Sequence, residues 1–171
     1  MISEKMKVAL NEQLNAVLYS SYIYLSMSAY FDDINLKGMA AWMKMQSTEE
    51  YAHAMKFFDF IIRVGKRVNL KQIDNPQDSW DSPIAAFEAA YAHEKSITKR
   101  INDLTDLAIS EKDHATNTFL HWFVDEQVEE ESTVADIVEN FKLIGDSKGG
   151  LFMLDKELGK RTNQQSAPQA Q

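Results

Sequence analysis

The chain contains no cysteine among its 171 residues. That excludes a disulfide framework, a thiolate metal site and a cysteine nucleophile. Proline and glycine are nearly as scarce, three and six respectively, and they cluster: no proline precedes Pro76 or falls between Pro83 and Pro168, and no glycine falls between Gly65 and Gly145. Strands joined by tight turns need more of both, so long uninterrupted helices are the natural reading. Apolar runs never approach the ~20 residues of a membrane span, and the opening MISEKMKVAL has no apolar core of the kind a signal peptide carries. Basic residues are also in deficit, 18 against 26 acidic, for a net charge of −8. A surface of that sign disfavours sequence-independent binding to nucleic acid. The expectation is a helical protein of the cytoplasm, with neither nucleic acid nor membrane as partner.

Apolar residues recur at helical spacing in four long stretches. The first spans about Ser3 to Phe31 and carries Leu10, Leu14, Val17 and Tyr24 on one face. The second opens near Asn35 and ends at Gly65, a C-terminal cap. Lys66–Asp81 reads as a loop. The third starts with Ser82 as N-cap and Pro83 at the first helical position, and the polar run Ser110–Asp113 breaks or kinks the chain after it. The fourth runs to Ile144, Gly145-Asp146-Ser147 ends it, and Leu151–Leu158 is long enough for a short fifth helix. Residues 1–160 are expected to form a single domain and 161–171 a frayed tail. Short joints near 32–35 and 110–113 imply antiparallel hairpins, whereas the connection between the second and third helices is long enough to run the length of a bundle.

Polar residues interrupt the buried stripes. The inward line of the second helix is Met39, Met43, Gln46, Glu50, His53, Phe57, Phe60; of the third, Phe87, Tyr91, Glu94, Ile97, Ile101; of the fourth, Leu120, Phe123, Gln127, Glu130, Val134, Ile137. Three carboxylates thus point into one core with no lysine or arginine on those lines. A buried ionised carboxylate costs several kcal/mol or more when unpaired, so either the groups are protonated or cations sit between them. Glu50-x-x-His53 places a carboxylate and an imidazole on one face, the donor set of a first-row metal. Glu111-x-x-His114 has the same spacing but straddles the break and reads as ordinary surface. Glu49, Glu126, Glu129 and Glu131 form a second acidic group, either a solvated face or a further metal site or iron path. Tyr24 and Trp122 fall at the same level, as core aromatics or as electron donors; His93 and His121 read as packing or exposed histidines, and the eight methionines as core filler.

The blocks LNEQLNAVLYSSYIYLSMSAYF, STEEYAHAMKFF, EAAYAHEKSIT and WFVDEQVEEE resemble the non-haem ferritins of bacteria and archaea, in order and over residues 1–160. The resemblance implies an all-α, ferritin-like four-helix bundle with one long crossover and a short C-terminal fifth helix, assembled as a homo-oligomeric cage of 24 subunits. It implies oxidation of iron(II) by dioxygen or peroxide at a di-iron centre and storage of the ferric mineral. Carried over by position, Glu50 is the bridging ligand, His53 the nitrogen ligand of the first iron, and Glu94 and Glu130 ligands of the second with Gln127 beside it. Glu49, Glu126 and Glu129 match a third site, with Glu130 shared, and Tyr24 the tyrosine next to the centre. Bacterioferritin is less similar: Gln127-x-x-Glu130 replaces its second E-x-x-H and Tyr51 its haem-ligating methionine, so no haem is expected.

One departure concerns the first helix. The family's glutamate there falls on Val17, which leaves the first iron with Glu50 and His53 alone and sets two readings side by side. Either the chain is a ferroxidase with an impaired first iron, or it is a storage subunit with little catalysis. A soluble di-iron oxygenase and a DNA-protecting mini-ferritin are the weaker alternatives. Counting back from Gln127, the acidic pair lining the threefold channel of animal ferritins falls on Asn117 and Leu120.

Overall fold

In a computed structural model, which describes residues 2–161, five helices follow one another: α1 (Glu4–Asp33), α2 (Lys37–Arg63), α3 (Pro83–Ser110), α4 (His114–Ile144) and α5 (Lys148–Gly159). Four begin where a short polar side chain takes up a free backbone N–H. Ser3 accepts from Met6, Ser82 from Ala85, Asp113 from Thr116 and Ser147 from Gly150. No helix among the described residues is long and apolar enough to cross a membrane.

Two boundaries differ from the sequence expectation. Helix α2 begins at Lys37 because Asn35 is left-handed (φ 63°) and closes the turn after α1. Its N-cap position, Leu36, has no side chain to offer, and the missing acceptor comes from α5: Asp155 Oδ1 receives the Met39 N–H at 2.8 Å. Helix α5 begins at Lys148, three residues before Leu151, because the Ser147 cap offsets the poor helix propensity of Gly149 and Gly150. Gly38 permits this docking. A Cβ there would stand 1.8 Å from the Asp155 carbonyl oxygen, so only glycine lets α5 lie this close to α2. The 110–113 break is complete, with Lys112 left-handed (φ 56°).

Helix α1 packs on α2, α3 on α4, α1 on α3, and α5 on α2. The 64–82 connection is tied along α1. Asn11 Oδ1 accepts from Asn69 N, Asn15 Oδ1 accepts from Lys71 N, and Ser26 Oγ donates to the Gln77 carbonyl. Fifteen residues of α1, roughly 22 Å at the helical rise, are thereby spanned by extended chain, which is the long crossover. The core divides in two. Tyr24, Met27, Phe31, Trp42, Phe87 and Phe141 belong to one apolar cluster, and Leu10, Leu14, Val17, Phe57, Ile101 and Phe123 to the other. Between them the inward faces carry a polar belt.

Candidate metal centre

Gln46, Glu50, His53, Glu94, Gln127 and Glu130 make up the belt, each at most 7% exposed. Position within the helices explains the placement. Gln46, Glu50 and His53 share one face of α2, Gln127 and Glu130 one face of α4, and Glu94 continues the apolar line of α3. Donor atoms of Glu50, His53 and Glu130 lie within 4.8 Å of one another.

Neutral donors hold the outer oxygens. Tyr24 Oη donates to Glu94 Oε1 at 2.5 Å, and Gln127 Nε2 donates to Glu94 Oε2 and Thr98 Oγ1, both at 3.2 Å. Gln46 Nε2 donates to Glu130 Oε2 at 2.5 Å. Glu50 is held differently: its Oε1 is buried and accepts no hydrogen bond, although His53 Nδ1 stands 3.4 Å away. An orphaned carboxylate oxygen inside a bundle is costly unless a cation completes it.

The electrostatics agree. Burial, with the charges of Glu49 and Glu126 behind it, pushes the Glu50 carboxyl up to about 8. Burial and then the charges of Glu94 and Glu50 push Glu130 to about 8. Glu94 rises to about 7 through burial and Glu50, held down somewhat by the Tyr24 and Gln127 hydrogen bonds. Tyr24 is raised well above its ordinary value, by burial first and the Glu94 charge second. Such a set is proton-loaded when empty of metal, and a divalent cation would replace those protons.

Around the belt, Trp122 meets His53 edge to face (5.2 Å between centroids), and Lys56 Nζ lies 4.2 Å from the Trp122 ring centre. Glu126 Oε1 is 3.8 Å from His53 Nε2, whereas Glu129 is exposed and Glu131 half-buried on the outer side of α4. Glu49 is half-buried and accepts from Arg161 Nη2 at 2.6 Å. That contact places the first residue of the expected tail against the bundle; residues 162–171 lie outside the described residues. His93 packs against Tyr19 and Tyr24 and shares a 2.7 Å hydrogen bond with Ser20, and burial pushes its imidazole down to about 4. His121 and His114 are exposed. Glu111 accepts from Ser3 Oγ, at the start of α1, rather than facing a metal with His114. Leu120 is wholly buried and cannot line a channel. Val17, 2% exposed, packs in the second apolar cluster and offers no donor.

Sequence reasoning gave no role to Thr98 and Arg161. Gln46 stood on the inward line, and a buried amide beside a buried glutamate was the available signal for its partnership with Glu130.

Fold and site together define a four-helix bundle with a fifth helix that carries a buried carboxylate–histidine group able to hold a metal ion. The model of the ferritin-like domain matches residues 7–144. A bacterial non-haem ferritin of Bacteroides fragilis is 45% identical over 161 residues, which cover 94% of this chain and 100% of that one. One from Staphylococcus haemolyticus is 36% identical, with 95% and 98% covered. The crystal structure of an open pore ferritin from the hyperthermophilic archaeon Archaeoglobus fulgidus superposes with a TM-score of 0.92 at 55% identity, covering 93% of this chain and 98% of that one. The chain belongs to the ferritin family.

Proposed function

We propose that this chain is an iron-storage subunit that takes up iron(II), oxidises it inside the bundle and, as one of 24 copies in a cage, stores the ferric product. The observation that carries the reading is the Glu50–His53–Glu130 cluster, with donor atoms within 4.8 Å and one Glu50 oxygen unpartnered. Oxygen donors with a single imidazole suit iron in both oxidation states. Iron(II) is the substrate: each ion gives up one electron to dioxygen or peroxide, and hydrolysis of the ferric product releases protons.

The protein's part is binding and positioning. Glu50, His53 and Glu130 would hold the incoming iron(II), with Glu94 as the further carboxylate of the belt. Tyr24 and Gln127 orient Glu94, and Gln46 orients Glu130, so both carboxylates keep lone pairs free for metal. Binding expels the protons that burial keeps on Glu50, Glu94 and Glu130. Glu49, Glu126 and Glu129 supply a third, outer site that shares Glu130, and Trp122 joins His53 to the half-exposed surface.

Val17 favours a second reading, a storage subunit with little catalysis. An apolar side chain stands where a further carboxylate would complete the first iron's shell, which leaves that ion Glu50, His53 and water. Stopped-flow absorbance after aerobic addition of about two iron(II) per subunit, beside a Val17→Glu variant, decides between them. A fast transient in the unaltered protein establishes ferroxidase activity with the four ligands present. Slow, featureless oxidation that becomes fast in the variant establishes the storage reading. Elution at the size of a small oligomer rather than several hundred kilodaltons would overturn the cage.

A further inference from the structure

Beyond α5 the chain returns to α2, and the Arg161 guanidinium settles on the rim of the polar belt. Its Nη2 donates to Glu49 Oε2 at 2.6 Å and its Nη1 to Gln46 Oε1 at 2.8 Å, while its plane lies over the Trp42 ring, 5.0 Å from the centre. The Arg161 and Glu49 side chains are only 27% and 24% exposed. A planar fork can serve two acceptors and an aromatic face together, which an ammonium cannot.

The contact is passed inward. A guanidinium only donates, so it must face the amide oxygen of Gln46. That turns Nε2 of Gln46 toward Glu130 Oε2, 2.5 Å away. Arg161 thus settles which end of the Gln46 amide meets the buried carboxylate, although it touches none of Glu50, His53 or Glu130 through these bonds.

We propose that Arg161 is the resident counter-cation of Glu49: it occupies the carboxylate that the outer site needs, so that a metal ion reaches Glu49 only by displacing the guanidinium, and through Gln46 it holds Glu130 in place. The inference rests on the reading of Glu49, Glu126 and Glu129 as that outer site. Its consequence is an order of filling. The inner pair of positions loads first, and the outer one loads only when the ion competes successfully with an internal cation. Nothing is oxidised and no proton moves in the exchange: the divalent ion takes the carboxylate oxygen, and the guanidinium passes to water still charged.

The test is an anaerobic titration of the full-length assembled apo-protein with cobalt(II), followed by calorimetry and visible absorption. In Arg161→Ala the outer class of sites should tighten about tenfold, or appear where the unaltered protein has none. In the double variant Arg161→Ala/Glu49→Gln this gain should vanish. Structural damage would weaken binding, so the sign separates competition from a merely structural role. An outer class unchanged in Arg161→Ala overturns the proposal, and so does a gain that survives the loss of Glu49. If Arg161→Ala does not assemble, Arg161→Gln, which keeps the bulk and loses the charge, carries the same expectations. Glu50→Gln distinguishes the two levels of failure: if it leaves the first equivalents of cobalt unaffected, the reading of the metal centre falls, and the inference about Arg161 falls with it.

Discussion

Tyr24 of α1 and Glu94 of α3 are joined by a 2.5 Å hydrogen bond from the phenol to carboxylate Oε1, inside the bundle and 70 residues apart in sequence. The phenol is wholly buried, as is Glu94 to within 1%. The bond stabilises the charged form of Glu94 against the burial that raises its proton affinity. Its loss in Tyr24→Phe should therefore leave Glu94 more protonated near neutrality. Zinc affinity is expected to fall about three- to tenfold at pH 6.5, in line with the usual worth of one hydrogen bond to a charged group, and the difference should shrink at pH 8.5. Titration calorimetry at the two pH values checks it; an equal loss at both would mean that Tyr24 acts through packing alone.

The metal-free bundle should lose stability as pH rises. Glu50 and Glu130 titrate near 8 and Glu94 near 7 in the folded chain, against an ordinary 4.5. Below about 4.5 all three are protonated in both states. Between there and about 8 the folded state holds protons that the unfolded state has released, so unfolding free energy falls with each step in pH. Glu50→Gln should match the unaltered protein near pH 4.5 and exceed it near pH 8.5, by about 1–4 kcal/mol. Denaturant melts of both proteins in a chelator give the difference directly. A Glu50→Gln protein less stable at the higher pH would refute the burial argument.

Val17→Glu puts a fourth carboxylate into the core, at a position that the second apolar cluster now fills. Without metal it should destabilise the chain at pH 8 by roughly 1–3 kcal/mol, the cost of burying a polar group with incomplete partners. Saturating zinc should restore the loss, because the new ligand then contributes to binding of the folded state alone. Melting temperatures with and without zinc measure both halves, and a loss that zinc does not repair would place residue 17 outside the reach of the centre.

The start of α2 depends on α5. Asp155→Ala removes the acceptor of the Met39 N–H and should cost about 1 kcal/mol, as a lost N-cap does. Gly38→Ala should be more severe, since its Cβ meets the Asp155 backbone and forces the helices apart. Hydrogen exchange ought to quicken in residues 148–159 and at the first turn of α2 together. Quickening confined to α5 would show that the cap is dispensable.

The candidate ligands were legible because a helix repeats its faces. Glu50, His53, Glu94, Gln127 and Glu130 each interrupt an apolar line of period 3.6, and the structure buries all five. The same periodicity misplaced the starts of α2 and α5, where a left-handed Asn35 and a cap from Ser147 decide the boundary rather than any repeat. Glu111-x-x-His114 repeats the spacing of Glu50-x-x-His53 but reads as ordinary surface, and the break between α3 and α4 falls between its two members.

What the sequence determined by itself, then, is local. It set the helices through apolar spacing and scarce breakers, most of their caps through Ser and Asp, and the level at which carboxylates enter the core. Only the tertiary structure decided which donor meets which oxygen: Tyr24 with Glu94, Gln46 with Glu130, Arg161 with Glu49, Asp155 with the start of α2. These pairs lie 70 to 116 residues apart. The physical reason is that periodicity fixes the face on which a side chain sits, while its partner depends on how separate helices are rotated and staggered against one another, and no single helix carries that information.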